Sequence, residues 1–164
     1  MYSVINAFVV SLITMGLVIN TVSMKSNIFY YEFEKQDEGV LTSEEIDLKN
    51  NKNVEENIRY TLQYLFDNNK GHYSFIPEEV TITNILFING SLEIEVSEDI
   101  LNYGGTAREI SMVDQILATV FSINEIEEFS LFIEGDREVL NEGTSIKEYT
   151  RDEWEERMNT IEQN

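Results

Sequence analysis

The sequence predicts an α+β domain, a small mixed sheet with two helices packed on one face, preceded by an N-terminal transmembrane helix. Three observations carry this reading. Val4 to Val22 forms an apolar run without Asp, Glu, Lys or Arg. Asn89-Gly90 separates two stretches in which polar and apolar residues alternate. On either side of that hairpin pattern lies a segment whose apolar residues recur at helical spacing.

As a helix, the 19-residue run from Val4 to Val22 would extend roughly 28 Å, about one hydrocarbon thickness. A helix that is apolar all round at the start of a chain fits a membrane better than a small core. A cleaved signal peptide is the rival reading. Its basic leading region is missing, because the first cationic side chain is Lys25. The organisation expected is therefore an anchor or signal segment over 1–24, an α/β domain over 25–141, and a C-terminal extension over 142–164 that turns helical from 150. A single-pass anchor would leave the acidic bulk on the extracytoplasmic side, although Lys/Arg asymmetry around it is too small to fix orientation.

All charge follows residue 24, where 31 acidic side chains outnumber 11 basic ones for a net charge of -20. Such an excess repels nucleic acid, which is held by Lys and Arg displacing counterions. It also disfavours anionic headgroups beyond the anchor, so charged partners should be basic surfaces. Without cysteine the chain has no disulfide, no thiolate metal site and no lipidation of cysteine.

Ile28 to Glu34, "IFYYEFE", is aromatic and β-branched and predicts a strand; Val40 to Leu48 predicts a weaker second strand paired with it. Val54, Ile58, Leu62 and Leu65 define the apolar face of a helix over Val54 to Phe66. Residues 67–79 hold the only proline and the only histidine and predict a loop. In "TNILFINGSLEIEVS" the Asn-Gly pair signals a type I′ hairpin, with 87 opposite 92, 85 opposite 94 and 83 opposite 96.

Phe87, Ile85, Leu92, Ile94 and Val96 then share one face, while Glu93, Glu95 and Leu86 take the other. The cover is a helix over Thr106 to Phe121, with Ile110, Val113, Ile116, Leu117, Val120 and Phe121 as its stripe and Thr106 with Glu109 as its capping box. Phe129, Leu131 and Ile133 alternate into a last strand that ends at Gly135. Thr150 and Glu153 have capping-box spacing for a terminal helix, lined by Trp154, Met158 and Ile161.

The double glycine in "NYGGTAREI" stands before a helix, where phosphate-cradling loops stand. The rest of a phosphate motif is absent, and Glu98, Asp99 and Glu109 surround the turn. Gly104 and Gly105 are therefore expected to give the backbone freedom, with Gly104→Val destabilising the domain. His72 stands alone between Gly71 and Tyr73, without a second ligand type nearby. Neither Ser97 nor Ser111 has a nucleophile-elbow setting, and Glu125 to Glu128 offers only weak cation binding. Tyr30, Tyr31, Tyr60, Tyr64 and Phe66 could form an interface platform, but at strand and helix spacing they read as core, Tyr31 and Tyr64 least clearly.

The ordered set Asn89-Gly90, Val96-Ser97, Tyr103-Gly104-Gly105, a helix over Ile110 to Phe121, and Glu134-Gly135 resembles the GerM-type (GerMN) domain. That domain is found in sporulation and spore-germination proteins of endospore-forming Firmicutes and in other bacteria. The similarity covers roughly residues 28–140. It implies a small α/β domain similar in kind to ring-building motifs of envelope-spanning complexes, with no assigned catalytic residue and no cofactor. Asn89, Gly90, Ser97, Tyr103, Gly104, Gly105 and Gly135 are then family positions with structural or interaction roles. Some members are lipoproteins or carry tandem domains; this chain has one copy and no cysteine.

The function expected is a membrane-anchored, non-enzymatic interaction module that assists assembly of an envelope complex in sporulation or germination. Envelope proteins would be its partners, and a homo-oligomer or ring is left open. The alternatives are a peptidoglycan-binding or peptidoglycan-hydrolysing envelope protein and a secreted, cation-buffering acidic protein.

Overall fold

The computed structural model of the protein describes residues 24–35, 38–48, 53–67 and 74–161. The expected anchor over Val4 to Val22 and the loop residue His72 lie outside them. Among the described residues no helix is long and apolar enough to cross a membrane.

In chain order the elements are β1 (Met24–Lys35), β2 (Glu38–Leu48), α1 (Val54–Asp67), β3 (Ile82–Ile88), β4 (Ser91–Val96), a 3-10 turn (Glu98–Leu101), α2 (Thr106–Phe121), β5 (Glu128–Ile133), β6 (Tyr149–Thr150) and α3 (Arg151–Ile161). The α+β class and the mixed strand directions agree with the sequence. The single sheet does not. β1 and β2 form their own antiparallel two-stranded sheet, and the second sheet has the order β3-β4-β5-β6. β3 to β4 and β5 to β6 are antiparallel; β4 to β5 is parallel. A parallel pair needs a crossover, and α2 supplies it.

Register fixes the core. Phe87, Leu92 and Phe129 lie side by side across β3, β4 and β5, followed by Ile85, Ile94 and Leu131, then Ile82, Val96 and Ile133. The last row corrects the expected pairing of residue 83 with 96. A bulge between Ile82 and Asn84 shifts the register, so apolar Ile82 replaces Thr83 above the core. The turn behind this register is as expected: Asn89 and Gly90 both have positive φ, 50° and 89°, the type I′ requirement.

The β1–β2 hairpin lies along α2. The Phe29 amide donates to Thr119 Oγ1 at 3.0 Å, and Ser122 Oγ donates to the Asn27 carbonyl at 3.1 Å. α2 is consequently enclosed rather than half covered: every residue from Met112 to Phe121 is buried. Ile110 departs from the expected stripe at 43% exposure, whereas Met112 is fully buried. The aromatic residues mainly join the core: Phe66 is buried, Tyr60 and Tyr64 pack against it, and Tyr31 meets Phe75 edge-on at 5.0 Å.

The C-terminal residues belong to the same core, which includes Ile146 and Trp154. Thr150 and Glu153 form the expected capping box. The Glu153 carboxylate accepts from the Thr150 amide at 2.7 Å, and Thr150 Oγ1 accepts from the Glu153 amide at 3.3 Å. Arg157 then reaches back from α3 to Asp114 on α2 at 2.7 Å.

Candidate functional site

The seven family positions fall into two groups at opposite ends of β4, separated by about 20 Å at ~3.3 Å per strand residue. Asn89 and Gly90 stand at the start, where the Gly90 carbonyl accepts from the amides of Glu127 and Glu128 at 2.8 and 3.2 Å. Ser97, Tyr103, Gly104, Gly105 and Gly135 gather near the other end. Ser97 Oγ accepts from the Thr81 amide at 3.2 Å and donates to Asp99 at 3.1 Å, closing the hairpin beside the 3-10 turn. Glu134 and Gly135, with φ of 49° and 93°, turn the chain out of β5. The Glu134 amide donates to the Val96 carbonyl at 3.1 Å.

Only one of the two adjacent glycines meets the expectation placed on both. Gly105 is the residue before α2 and has φ 88° and ψ 144°, a positive-φ, high-ψ conformation that is essentially confined to glycine. Gly104 has no left-handed φ, and a Cβ there would meet nothing within 4 Å. The freedom needed at the turn is therefore local to Gly105, and the reason given for Gly104→Val does not hold.

The same one-residue shift overturns the capping box at α2. With Gly105 as the cap, no side chain caps the helix; Thr106 and Glu109 become its first and fourth residues. Thr106 Oγ1 donates to the Glu142 carboxylate at 3.1 Å. The first residue of the helix is thus engaged by a carboxylate of the chain, which disfavours an added anion beside it.

Glu109 turns inward instead. It is 1% exposed, and its carboxylate accepts from the amides of Glu142 at 2.7 Å and Thr144 at 3.1 Å. It also accepts from the Tyr103 hydroxyl, which itself accepts from the Asn141 amide at 3.0 Å. One buried acid thus binds the double-glycine turn, α2 and the 141–144 loop together. Burial raises the Glu109 carboxyl, but hydrogen bonds from Thr144, Tyr103 and the Glu142 amide outweigh it and leave it below its ordinary value. Burial first, and the bond to Glu109 second, push the Tyr103 phenol up to about 12.

Sequence reasoning assigned Glu109 to a cap and missed this role. A signal was present: Glu109, Val113, Ile116 and Val120 share one helical face, so the acid stands on an apolar stripe. Arg151 was missed in a similar way. Its guanidinium donates to the carbonyls of Phe121 at 2.7 Å and Ile123 at 2.8 Å, and lies 5.5 Å from the centre of the Phe121 ring. It caps the Phe121 carbonyl where α2 ends and adds a second donor to the Ile123 carbonyl, which already accepts from the Ile126 amide at 3.1 Å.

Among the described residues, a wide, open depression on α1 is lined by Glu56, Arg59, Tyr60 and Gln63, and two narrower concave regions lie elsewhere. A polar cleft of about 340 Å³ lies among Lys25, Asn27, Asn57, Thr61, Ser122 and Asn124. A shallower hollow of about 230 Å³ opens on the outer face of the larger sheet, lined by Asn84, Glu93, Glu95, Phe132 and Gly135. Among the described residues no group of three or more His, Cys, Asp or Glu is arranged to hold a metal ion.

Residues 27–139, more than two thirds of the chain, match the family described as "Germane: Sporulation and spore germination". The chain is a Germane-family protein. Its fold is shared with the tandem GerMN domains of the sporulation protein GerM from Bacillus subtilis, at TM-score 0.59 and 16% identity over 81% of this chain. The chain spans about half of that structure, 47%. The first GerMN domain of GerM alone matches at TM-score 0.51 and 17% identity, over 76% of this chain and 98% of that one. A candidate lipoprotein from Clostridium perfringens matches at TM-score 0.53 and 14% identity, over 79% and 89% of the two chains. No curated protein matches the chain. At these identities the structures speak for the fold alone. Of the residues expected as family positions, Ser97 and Tyr103 make side-chain hydrogen bonds and Gly105 and Gly135 hold positive-φ turns.

Proposed function

We propose that this Germane-family protein is a membrane-anchored, non-enzymatic interaction module that helps to assemble an envelope complex in sporulation or spore germination. Its soluble domain would lie on the extracytoplasmic side of the membrane. The observation that carries the reading is the use made of the most buried acid. Glu109, the residue best placed for acid/base work, is saturated by two backbone amides and a phenol that lock a loop in place. Chemistry that the fold spends on rigidity suits a domain that presents a surface. The apolar run ahead of β1 supports the anchor, and the family description supports the process.

In-cell crosslinking of the tagged full chain in sporulating cells, followed by identification of adducts, tests this. Reproducible adducts with envelope proteins are expected. Release of muropeptides from purified cell wall by the full chain would contradict it and favour the peptidoglycan-hydrolysing alternative.

A further inference from the structure

Among the described residues the larger sheet has one face on the core; on the other face Leu86, Ile88 and Glu93 are exposed, while Ser130 on β5 is buried and accepts from the Glu148 amide at 2.8 Å. Register places Ile88, Ser91 and Glu128 in one row of that outer face, Leu86, Glu93 and Ser130 in the next, and Asn84, Glu95 and Phe132 in the third. Leu86 and Ile88 are 44% and 54% exposed. They stand on β3, an edge strand whose sequence "ITNILFI" carries no charge or proline of its own; at this edge Arg59 on α1 donates to the Ile85 carbonyl at 3.3 Å. No Lys or Arg stands in these rows. Among the described residues neither Glu93 nor Glu95 takes part in an ion pair.

The hollow of about 230 Å³ is lined by Asn84, Glu93, Ile94, Glu95, Phe132 and Gly135, so both acids and the aromatic residue border it. Gly135 borders it without a side chain; a Cβ there would come within 3.6 Å of Glu95 Oε1. Two unpaired carboxylates and an aromatic ring around one depression match a cationic side chain, which gains from both the charge and the ring. The neighbouring Leu86 and Ile88 match apolar residues beside that cation. A second copy of this chain fits poorly, because each copy carries a net charge of -20 and would set carboxylates against carboxylates.

We propose that the outer face of β3, β4 and β5 is a docking surface for an arginine- or lysine-bearing protein segment. Its basic side chain enters the hollow bordered by Glu93 and Glu95, and its apolar residues cover Leu86 and Ile88. The inference rests on the reading of the protein as an interaction module and supplies the surface and the partner chemistry.

The test uses the full chain in a neutral nonionic detergent, labelled at Ile and Leu methyl groups, with two synthetic nonapeptides. One alternates valine with arginine, the other valine with glutamate. The expected result is movement of the Leu86 and Ile88 methyl signals with the arginine peptide, while those of core residues Ile94 and Leu131 stay in place. E93K/E95K should weaken that binding at least 10-fold, and raising salt from 50 to 500 mM at least 5-fold. Both substitutions are on the exposed face, and an unchanged melting temperature verifies that the variant folds. Equal movement with the glutamate peptide, unchanged affinity in E93K/E95K, or peptide-free shifts that grow with protein concentration would each overturn the proposal. Envelope-protein crosslinks mapping only to other faces would remove this surface and leave the interaction function standing, whereas muropeptide release would remove that function itself.

Discussion

Removing the Glu109 carboxylate should loosen one corner of the domain by a calculable amount. Glu109→Ala deletes the acceptor of the Glu142 and Thr144 amides, 2.7 and 3.1 Å away, and of the Tyr103 hydroxyl. A hydrogen bond to a charged group contributes about 1.5–3 kcal/mol, and a buried donor left without a partner costs about 1–3 kcal/mol. Glu142 is solvent-exposed and can rehydrate, so the sum is discounted to about 3–4 kcal/mol. At roughly 2–4 °C per kcal/mol for a domain of this size, the melting temperature should fall by about 6–16 °C. Glu109→Gln keeps the shape but turns an amide donor toward one of the backbone donors, and should cost about 1–3 kcal/mol.

The pH dependence has a definite sign. The native Glu109 pKa lies below its ordinary value, so its stabilisation is present above the unfolded carboxylate pKa and is lost as pH falls through the native one. Wild type should therefore lose stability relative to Glu109→Gln as the pH is lowered from about 5 toward 3. Thermal melts of both proteins across that range give the difference, in which the other acidic groups cancel. A Glu109→Ala melting temperature within about 1 °C of wild type, or a wild-type to Gln difference flat in pH, would refute the reasoning.

Three further outcomes follow from the same structure. Gly105→Ala should cost about 1–3 kcal/mol for its positive-φ backbone while Gly104→Ala stays within about 0.5 kcal/mol, read by urea unfolding. Thr150→Ala should lower stability by about 1 kcal/mol and raise hydrogen exchange in the first turn of α3, because it breaks the reciprocal bond with Glu153. Arg151→Met removes the guanidinium donor from the Phe121 carbonyl in a partly buried setting, while the Ile123 carbonyl keeps the Ile126 amide at 3.1 Å, and should cost about 1–3 kcal/mol by the same unfolding assay.

What could be read from the sequence was mainly local. The Asn89-Gly90 turn, the alternation around it, the two amphipathic helices and the Thr150 capping box each depend on residues a few positions apart. The partition into two sheets depends on which strand pairs with which, and both sheets have the same alternating signature. The bulge at residue 83 and the two-residue β6 are settled by contacts with distant strands. At the candidate site, Gly105 and Gly104 are identical in sequence, and only the path into α2 distinguishes them. Glu109 was legible as an acid on an apolar stripe, but its partners lie 33 and 35 positions further on. The exposed outer face was legible in Leu86, Glu93 and Glu95; the hollow beside Phe132 needed the parallel pairing of β4 with β5.

Position-resolved photocrosslinking in sporulating cells tests most directly whether the domain works by presenting a surface. A photoreactive residue is placed in turn at Leu86 on the outer sheet face and at exposed Glu55 in the first turn of α1. The account predicts a discrete envelope-protein adduct at Leu86 that E93K/E95K abolishes, and none at Glu55. Equal labelling at both positions, or no discrete envelope-protein adduct at either, would contradict it, whereas an adduct at Glu55 alone would remove only the outer sheet face as that surface.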